Sequence, residues 1–368
     1  MEKQTFAEDC QEIVSELTQK GVSRRDMLRA ALAIGIAPAA LTAGSRTAMA
    51  QARKEVVLVN FGGVAMKAFD EAFVQPFAQH GGRIVLDGSG ALNGKILTMV
   101  KSGHVTWDIC DAGITTLAEL GPQNALEKID YSIVDKSKLL TEFAYEEGVV
   151  NYMFSTVMAW DTSKIKEEPT LADFFDLKKY PGRRMMRKDS QAMLEMALLA
   201  DGVPMDKLYP LDVKRAFDKI GTIKKDILFW NSGSESQSLM RDGECVMGLL
   251  WHTRANVLRS ETNDRINYTF KNGLLQPGLW VVPKGNPAGK EAFTAIASMQ
   301  QPEGQVKLLA AMGNGPANPA AQSLVPAELR AMNPASPANA AVQAKIDANW
   351  YKANHSKTFQ AYLDFISS

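Results

Sequence analysis

A guanidinium, an indole and a hydroxyl fall within one stretch, residues 227–256, ILFWNSGSESQSLMRDGECVMGLLWHTRAN. Arg254 can clamp a carboxylate through its planar fork of N–H donors. Trp251 can hold an apolar chain or a cation against its ring face. Ser232 stands at a helix start, where free backbone N–H groups and a hydroxyl suit a polar or anionic group. Carboxylates able to take an ammonium stand elsewhere, at Asp87, Asp111 and Asp189. Together these types describe binding of a small polar solute. The plainer reading is an ordinary strand–helix–strand unit with a buried Trp, and spacing alone leaves both open. Catalysis has no such support. G-x-S-x-G, G-x-G-x-x-G, H-E-x-x-H and C-x-x-C are absent, and the four His are scattered at 80, 104, 252 and 355. No cofactor and no metal are expected, and His252 reads as a satisfied strand-end residue.

The elements that must position these groups alternate between strand and helix. Residues 54–60 (KEVVLVN) are a continuous apolar strand of the kind a parallel sheet buries on both faces. Phe61-Gly62-Gly63 turns the chain into a helix over about 66–77. A second strand, 83–86, runs into Asp87-Gly88-Ser89-Gly90 and a helix over 93–102. A third, from Trp107, carries Asp111 at its C-terminal end. Three successive strands thus end in small or polar groups, as a ligand crevice at strand C-termini requires. Long apolar runs at 149–160 and 279–283 read as strands crossing between two lobes. Between them lie a helix after Lys188-Asp189-Ser190, a helix over 213–220, and the strand–helix–strand stretch itself. Helices over 288–297 and 302–311 follow, then an Ala/Pro-rich loop region at 316–341 with a short helix near 327–332. A last helix is expected over 357–365.

Residues 1–50 read as an export leader. Ser23-Arg24-Arg25-Asp26-Met27-Leu28-Arg29 is a twin-arginine pattern, the run 30–41 is mildly apolar, and Ala48-Met49-Ala50 fits the small-x-small cleavage rule. The remainder, 51–368, is expected to be soluble in the periplasm. The 368-residue chain carries 41 Lys/Arg against 41 Asp/Glu, a neutral balance that lacks the electrostatic footprint of a nucleic-acid binder. Cys110 and Cys245 lie far apart in apolar strand-like runs and read as two buried free thiols.

The same residues carry a resemblance that covers nearly all of the exported chain. It runs through Asn60-Phe61-Gly62-Gly63, Trp107-Asp108 with Asp111, Tyr180-Pro181-Gly182-Arg183-Arg184, and Leu194-Glu195 with Ala197 to Val203. It continues through Leu208-Tyr209-Pro210-Leu211-Asp212, Trp230 with Ser232-Gly233, Gly243-Glu244, Trp251 with Arg254-Ala255, Val282-Pro283-Lys284-Gly285 and Gly315-Pro316-Ala317-Asn318. The chain resembles the periplasmic substrate-binding proteins of ABC importers, specifically the spermidine/putrescine-binding-like family. That resemblance implies an α/β, two-lobed periplasmic binding protein fold with a hinge of crossing strands and a ligand cleft between lobes. It implies lobes at 51–157 with 279–317 and at 158–278 with 318–368. It also implies delivery of a small-molecule ligand to a membrane permease driven by an ATPase subunit, by a protein acting as a monomer.

By the same resemblance Phe61 stands where the family places an aromatic wall, Asp189 matches an amine-binding acid, and Trp251 matches a stacking Trp. Gly62, Gly63, Ser89 and Trp280 complete the expected ligand-binding set. Two positions depart from the polyamine pattern. Gln276-Pro277-Gly278 replaces an aromatic residue and an acid before the return crossing, and Ala192 replaces a second acid. With Arg254 nearby, an amino-carboxylate is expected as well as a polyamine: Asp87, Asp111 or Asp189 would take the amine and Arg254 the carboxylate. A periplasmic hydrolase or oxidoreductase on a bilobal scaffold is the alternative, and a ferric-iron binder lacks its Tyr-Tyr pair. The final segment is expected on the second lobe, with Asp347 or Trp350 near the cleft.

Overall fold

The computed structural model describes residues 55–368; the leader expected over 1–50, with its cleavage point, lies outside them. One mixed sheet runs through the molecule in the order β2-β1-β3-β8-β4-β7-β5-β6. β1 (Val56–Val59), β2 (Ile84–Asp87) and β3 (Ile109–Ala112) are parallel at one end. β5 (Arg184–Arg187), β6 (Ile227–Trp230) and β7 (Met247–Trp251) are parallel at the other. The two ends are joined by β4 (Val149–Asp161) and β8 (Ile266–Val281), antiparallel to one another and long enough to belong to both.

β8 begins well before the expected 279. Its middle, Gln276-Pro277-Gly278, looks like a strand breaker, yet Pro277 pairs with Met153 next to a register shift between Val150 and Tyr152. A Pro is tolerated where the ladder is already irregular. Gly278 is required there, because a Cβ would lie 2.4 Å from Asn151 Oδ1 and 2.5 Å from the Tyr152 ring.

Apolar packing follows the two ends of the sheet. Val56, Leu58, Phe69, Phe73, Ile109, Trp280 and Val281 form one core with Phe293. Trp160, Phe174, Leu194, Leu198, Ile220 and Leu249 form a second. Smaller packing around Trp230, Met240, Leu250 and Leu258 closes the strand–helix–strand stretch. Arg184, fully buried, donates to the carbonyls of Phe174, Tyr180 and Gly182, so the Tyr180–Arg184 motif is a structural staple. Cys110 and Cys245 are buried free thiols.

The last helix differs most from expectation. It spans Ala348–Ser367, capped by the Asp347 carboxylate, which accepts the Trp350 N–H at 2.9 Å. It packs both on the helix Ile114–Leu120 after β3 and on the helix Val213–Gly221. Tyr351 joins the first core and Tyr362 the second, so this helix straddles the two halves.

Candidate functional site

Where β1, β3, β5 and β7 end, the two halves enclose a cavity of about 350 Å³. That volume suits a small organic molecule. Phe61, Asp111, Asp189, Trp251 and Arg254 all line it, so five of the eleven expected residues are brought to one place. Gly62 and Gly63 form the turn behind Phe61 at positive φ, 67° and 61°. A Cβ on Gly62 would meet the Gly88 carbonyl oxygen at 2.6 Å, and one on Gly63 would sit 3.6 Å from Arg254 Nη1. Gly62 therefore lets this turn pack directly on Gly88, and neither glycine lines the cavity wall.

Four more of the eleven lie off the cavity wall. Asp87 turns away: Oδ1 accepts the Ser89 N–H at 2.8 Å and Oδ2 the Trp107 indole N–H at 2.9 Å. Ser89 belongs to that turn. Ser232 is an exposed N-cap, its hydroxyl accepting the Glu235 N–H at 3.2 Å while the Glu235 carboxylate accepts the Asn231 N–H at 2.7 Å. Trp280 is 2% exposed and packs edge-on against Phe69 and Phe73, a core residue near the end of β8.

Arg254 is the unusual cation. It is buried in the first turn of the helix His252–Glu261, and among the described residues it makes no ion pair. Its one hydrogen bond is a long one, 3.4 Å from Nη1 to Gln237 Oε1. Gly233 makes room for it: a Cβ there would lie 2.6 Å from Nε and 3.2 Å from the Trp251 ring. Burial presses the guanidinium pKa below its usual value, while Tyr152 and Asp111 act the other way. A buried guanidinium without a counter-ion is costly unless an anion joins it.

Asp111 lies on the Arg254 side but is already engaged. Both its oxygens accept the Tyr152 hydroxyl, at 2.9 and 3.0 Å, and Oδ1 accepts the Asn151 amide at 3.1 Å. Burial lifts its pKa to about 7, against the pull of those bonds and of Arg254. Asp189 is more available. Oδ1 accepts the Gln191 N–H at 3.0 Å, and Oδ2 is 3.4 Å from Arg187 Nη1.

Trp251 is held on several sides. Its ring meets Trp230 edge-on at 5.3 Å, Phe61 from the opposite half at 5.7 Å, and the Arg187 guanidinium at 5.0 Å. His252 faces inward to the crossing strands, accepting the Ser155 N–H at 3.0 Å on Nδ1 and donating from Nε2 to the Gly313 carbonyl at 2.8 Å. Complete burial lowers its pKa to about 4, so it is a neutral structural group, as expected.

Sequence reasoning missed Arg187, Tyr152, Glu119, Asn314, His355 and Phe359, all on the cavity wall. The C-terminal helix reaches the cavity through His355 and Phe359, not through Asp347 or Trp350. Gln276, in the departed motif, is buried in a neutral network: it accepts from the Gln191 amide at 2.6 Å and donates to Thr156 Oγ1 at 2.9 Å. No group of His, Cys, Asp and Glu able to hold a metal occurs among the described residues.

This two-ended sheet, long crossing strands and a walled cavity between halves define a solute-binding protein. The chain belongs to the bacterial extracellular solute-binding protein family, whose model matches residues 64–341. It is a substrate-binding protein of the ABC-transporter type, a class that works with a membrane permease and ATPase, on the two-lobed α/β scaffold of periplasmic binding proteins. It is 30% identical over 315 residues to a gamma-aminobutyric acid-binding protein of Pseudomonas aeruginosa, covering 83% of this chain and 89% of that protein. Among solved structures it is similar to the Atu4243–GABA receptor (30% identity, TM-score 0.76, 85% of this chain and 98% of that one). It is similar also to AgtB of A. tumefaciens R10 in complex with agropinic acid (31% identity, TM-score 0.79, 85% and 99%).

Proposed function

We propose that this protein captures a small amino-carboxylate in the periplasm and hands it to its permease without chemical change. The observation that carries the reading is Arg254, a buried guanidinium with no ion pair among the described residues, on the wall of the cavity. A ligand carboxylate would complete it through charge-assisted hydrogen bonds. Of the three candidate acids, Asp87 lies outside the cavity and Asp111 already accepts from Tyr152 and Asn151, which favours Asp189 for the ammonium. Trp251 and Phe61 would hold the carbon chain between the two poles. A polyamine suits the site less: it brings two cations and leaves Arg254 uncompensated. The names of two relatives, which specify GABA, favour a short ω-amino acid; a third was solved in complex with agropinic acid.

Export by the twin-arginine leader and action as a monomer belong to the same proposal. So does the assignment of 51–157 with 279–317 to one lobe and of 158–278 with 318–368 to the other. The straddling C-terminal helix would then be carried by the second lobe and meet the first on closure.

Thermal-shift screening against polyamines, α-amino acids, ω-amino acids and opines tests the reading. A ligand bound only by the folded state raises Tm by mass action. Stabilisation by amino-carboxylates is expected. Stabilisation by diamines alone would overturn the reading, and turnover of a ligand would replace it with the enzyme alternative.

A further inference from the structure

Acceptors from three separate elements line the same cavity as Arg254. Asp189 follows β5, Glu119 sits on the helix Ile114–Leu120 of the opposite half, and His355 comes from the C-terminal helix. Both carboxylates act electrostatically on the His355 ring, as does Arg187 with opposite sign. His355 is 5% exposed and its Nδ1 has no hydrogen-bond partner. Phe359 stacks on its ring at 5.6 Å and Tyr351 leans on it at 6.0 Å. Glu119 spends one oxygen on the Asn93 amide at 2.7 Å and has the other free of hydrogen bonds among the described residues.

We infer that Asp189, Glu119 and His355 form a three-acceptor cage for the ligand's primary ammonium, so that the protein selects –NH3+ over N-methylated and quaternary amines. The inference rests on the proposed function and deepens it. A primary ammonium has three N–H donors and no acceptor. Two carboxylates and one neutral imidazole nitrogen match that count, and burial favours the neutral imidazole. Each methyl group would remove one donor and strand one buried acceptor, which is costly. A quaternary amine would need open aromatic faces instead, and here the Phe359 face is turned to His355. Asp189 and Glu119 also come from opposite halves, so an ammonium between them would hold the cleft shut by neutralising two acids that otherwise repel.

Titration calorimetry of the purified protein with 4-aminobutanoate, its N-methyl form and its N,N,N-trimethyl form decides the matter. About tenfold loss is expected for one methyl group and no measurable binding for three. Glu119→Gln, a half-buried and near-isosteric change, should weaken the primary amine by about tenfold and shrink the discrimination. His355→Phe should do the same. Should His355→Phe fail to fold, the methyl series and Glu119→Gln decide alone. Equal binding of primary and methylated ligands overturns the cage and leaves the proposed function standing. Wild-type protein that binds no amino-carboxylate removes both.

Discussion

The strand ends of the two halves use their charged residues in opposite ways. In the first half the acids are spent on the fold. Asp87 is tied to Ser89 and Trp107, Asp108 accepts the N–H groups of Val57 and Ala288 at 2.7 Å each, and Asp111 accepts from Tyr152 and Asn151. In the second half Arg254 is buried with no ion pair among the described residues, and Asp189 accepts the Gln191 N–H beside its contact with Arg187. A strand-end charge therefore signals a ligand only when its hydrogen-bonding capacity is unspent. At the strand ends, then, the first half supplies a shaped wall and the second half supplies the unspent charge.

The contrast can be broken at several points. Trp251 and Trp280 were both expected at the ligand, and the structure separates them. Trp280→Ala should lower stability by about 3–5 kcal/mol in denaturant unfolding, as for other buried aromatics, with ligand affinity intact where the protein is folded. Arg254→Ala should cost about 3 kcal/mol of binding, roughly a hundredfold in Kd, measured by calorimetry. A loss below about threefold would make Arg254 structural.

Proton linkage sharpens the division further. Asp111, with its pKa lifted to about 7, sits beside the guanidinium that would take the ligand carboxylate. A second negative charge there raises the Asp111 pKa again, so binding takes up protons and affinity falls as pH rises through 7. Asp111→Asn should flatten the profile between pH 6 and 8. Affinity that instead falls below pH 7 would place the ammonium at Asp111. In the ligand-free protein the sign is the same: protonation of Asp111 stabilises the folded state fully below the ordinary carboxylate range, and that contribution is lost as pH rises through 7. The smallest effect is expected at Ser232, where Ser232→Ala should cost about 1 kcal/mol of stability through the lost cap and leave affinity unchanged.

Much of the scaffold was legible because its signals are local. The Asn60–Gly63 corner, the apolar run of β4 and the strand–helix–strand stretch at 227–256 each declare themselves within a few residues. The site was legible only in part. Arg187, Glu119 and His355 carry no local mark that separates them from surface charges, and their meeting depends on three elements far apart in sequence. His355 was hidden twice, since the C-terminal helix begins nine residues before its strongest apolar spacing at 357–365. Trp280 misled for the converse reason: its strand was evident, but not the cover that Phe69 and Phe73 place over the ring. Ser232 and Asp87 misled because a helix cap and an Asx turn use the same residue types as a ligand site.

The most direct measurement is a crystal structure of the protein with a bound ω-amino acid. The ligand carboxylate should lie about 2.8 Å from the Arg254 guanidinium, with the ammonium at Asp189 and the chain beside Trp251. A ligand reversed in the cavity, or one that leaves Arg254 without a counter-ion, would contradict the account.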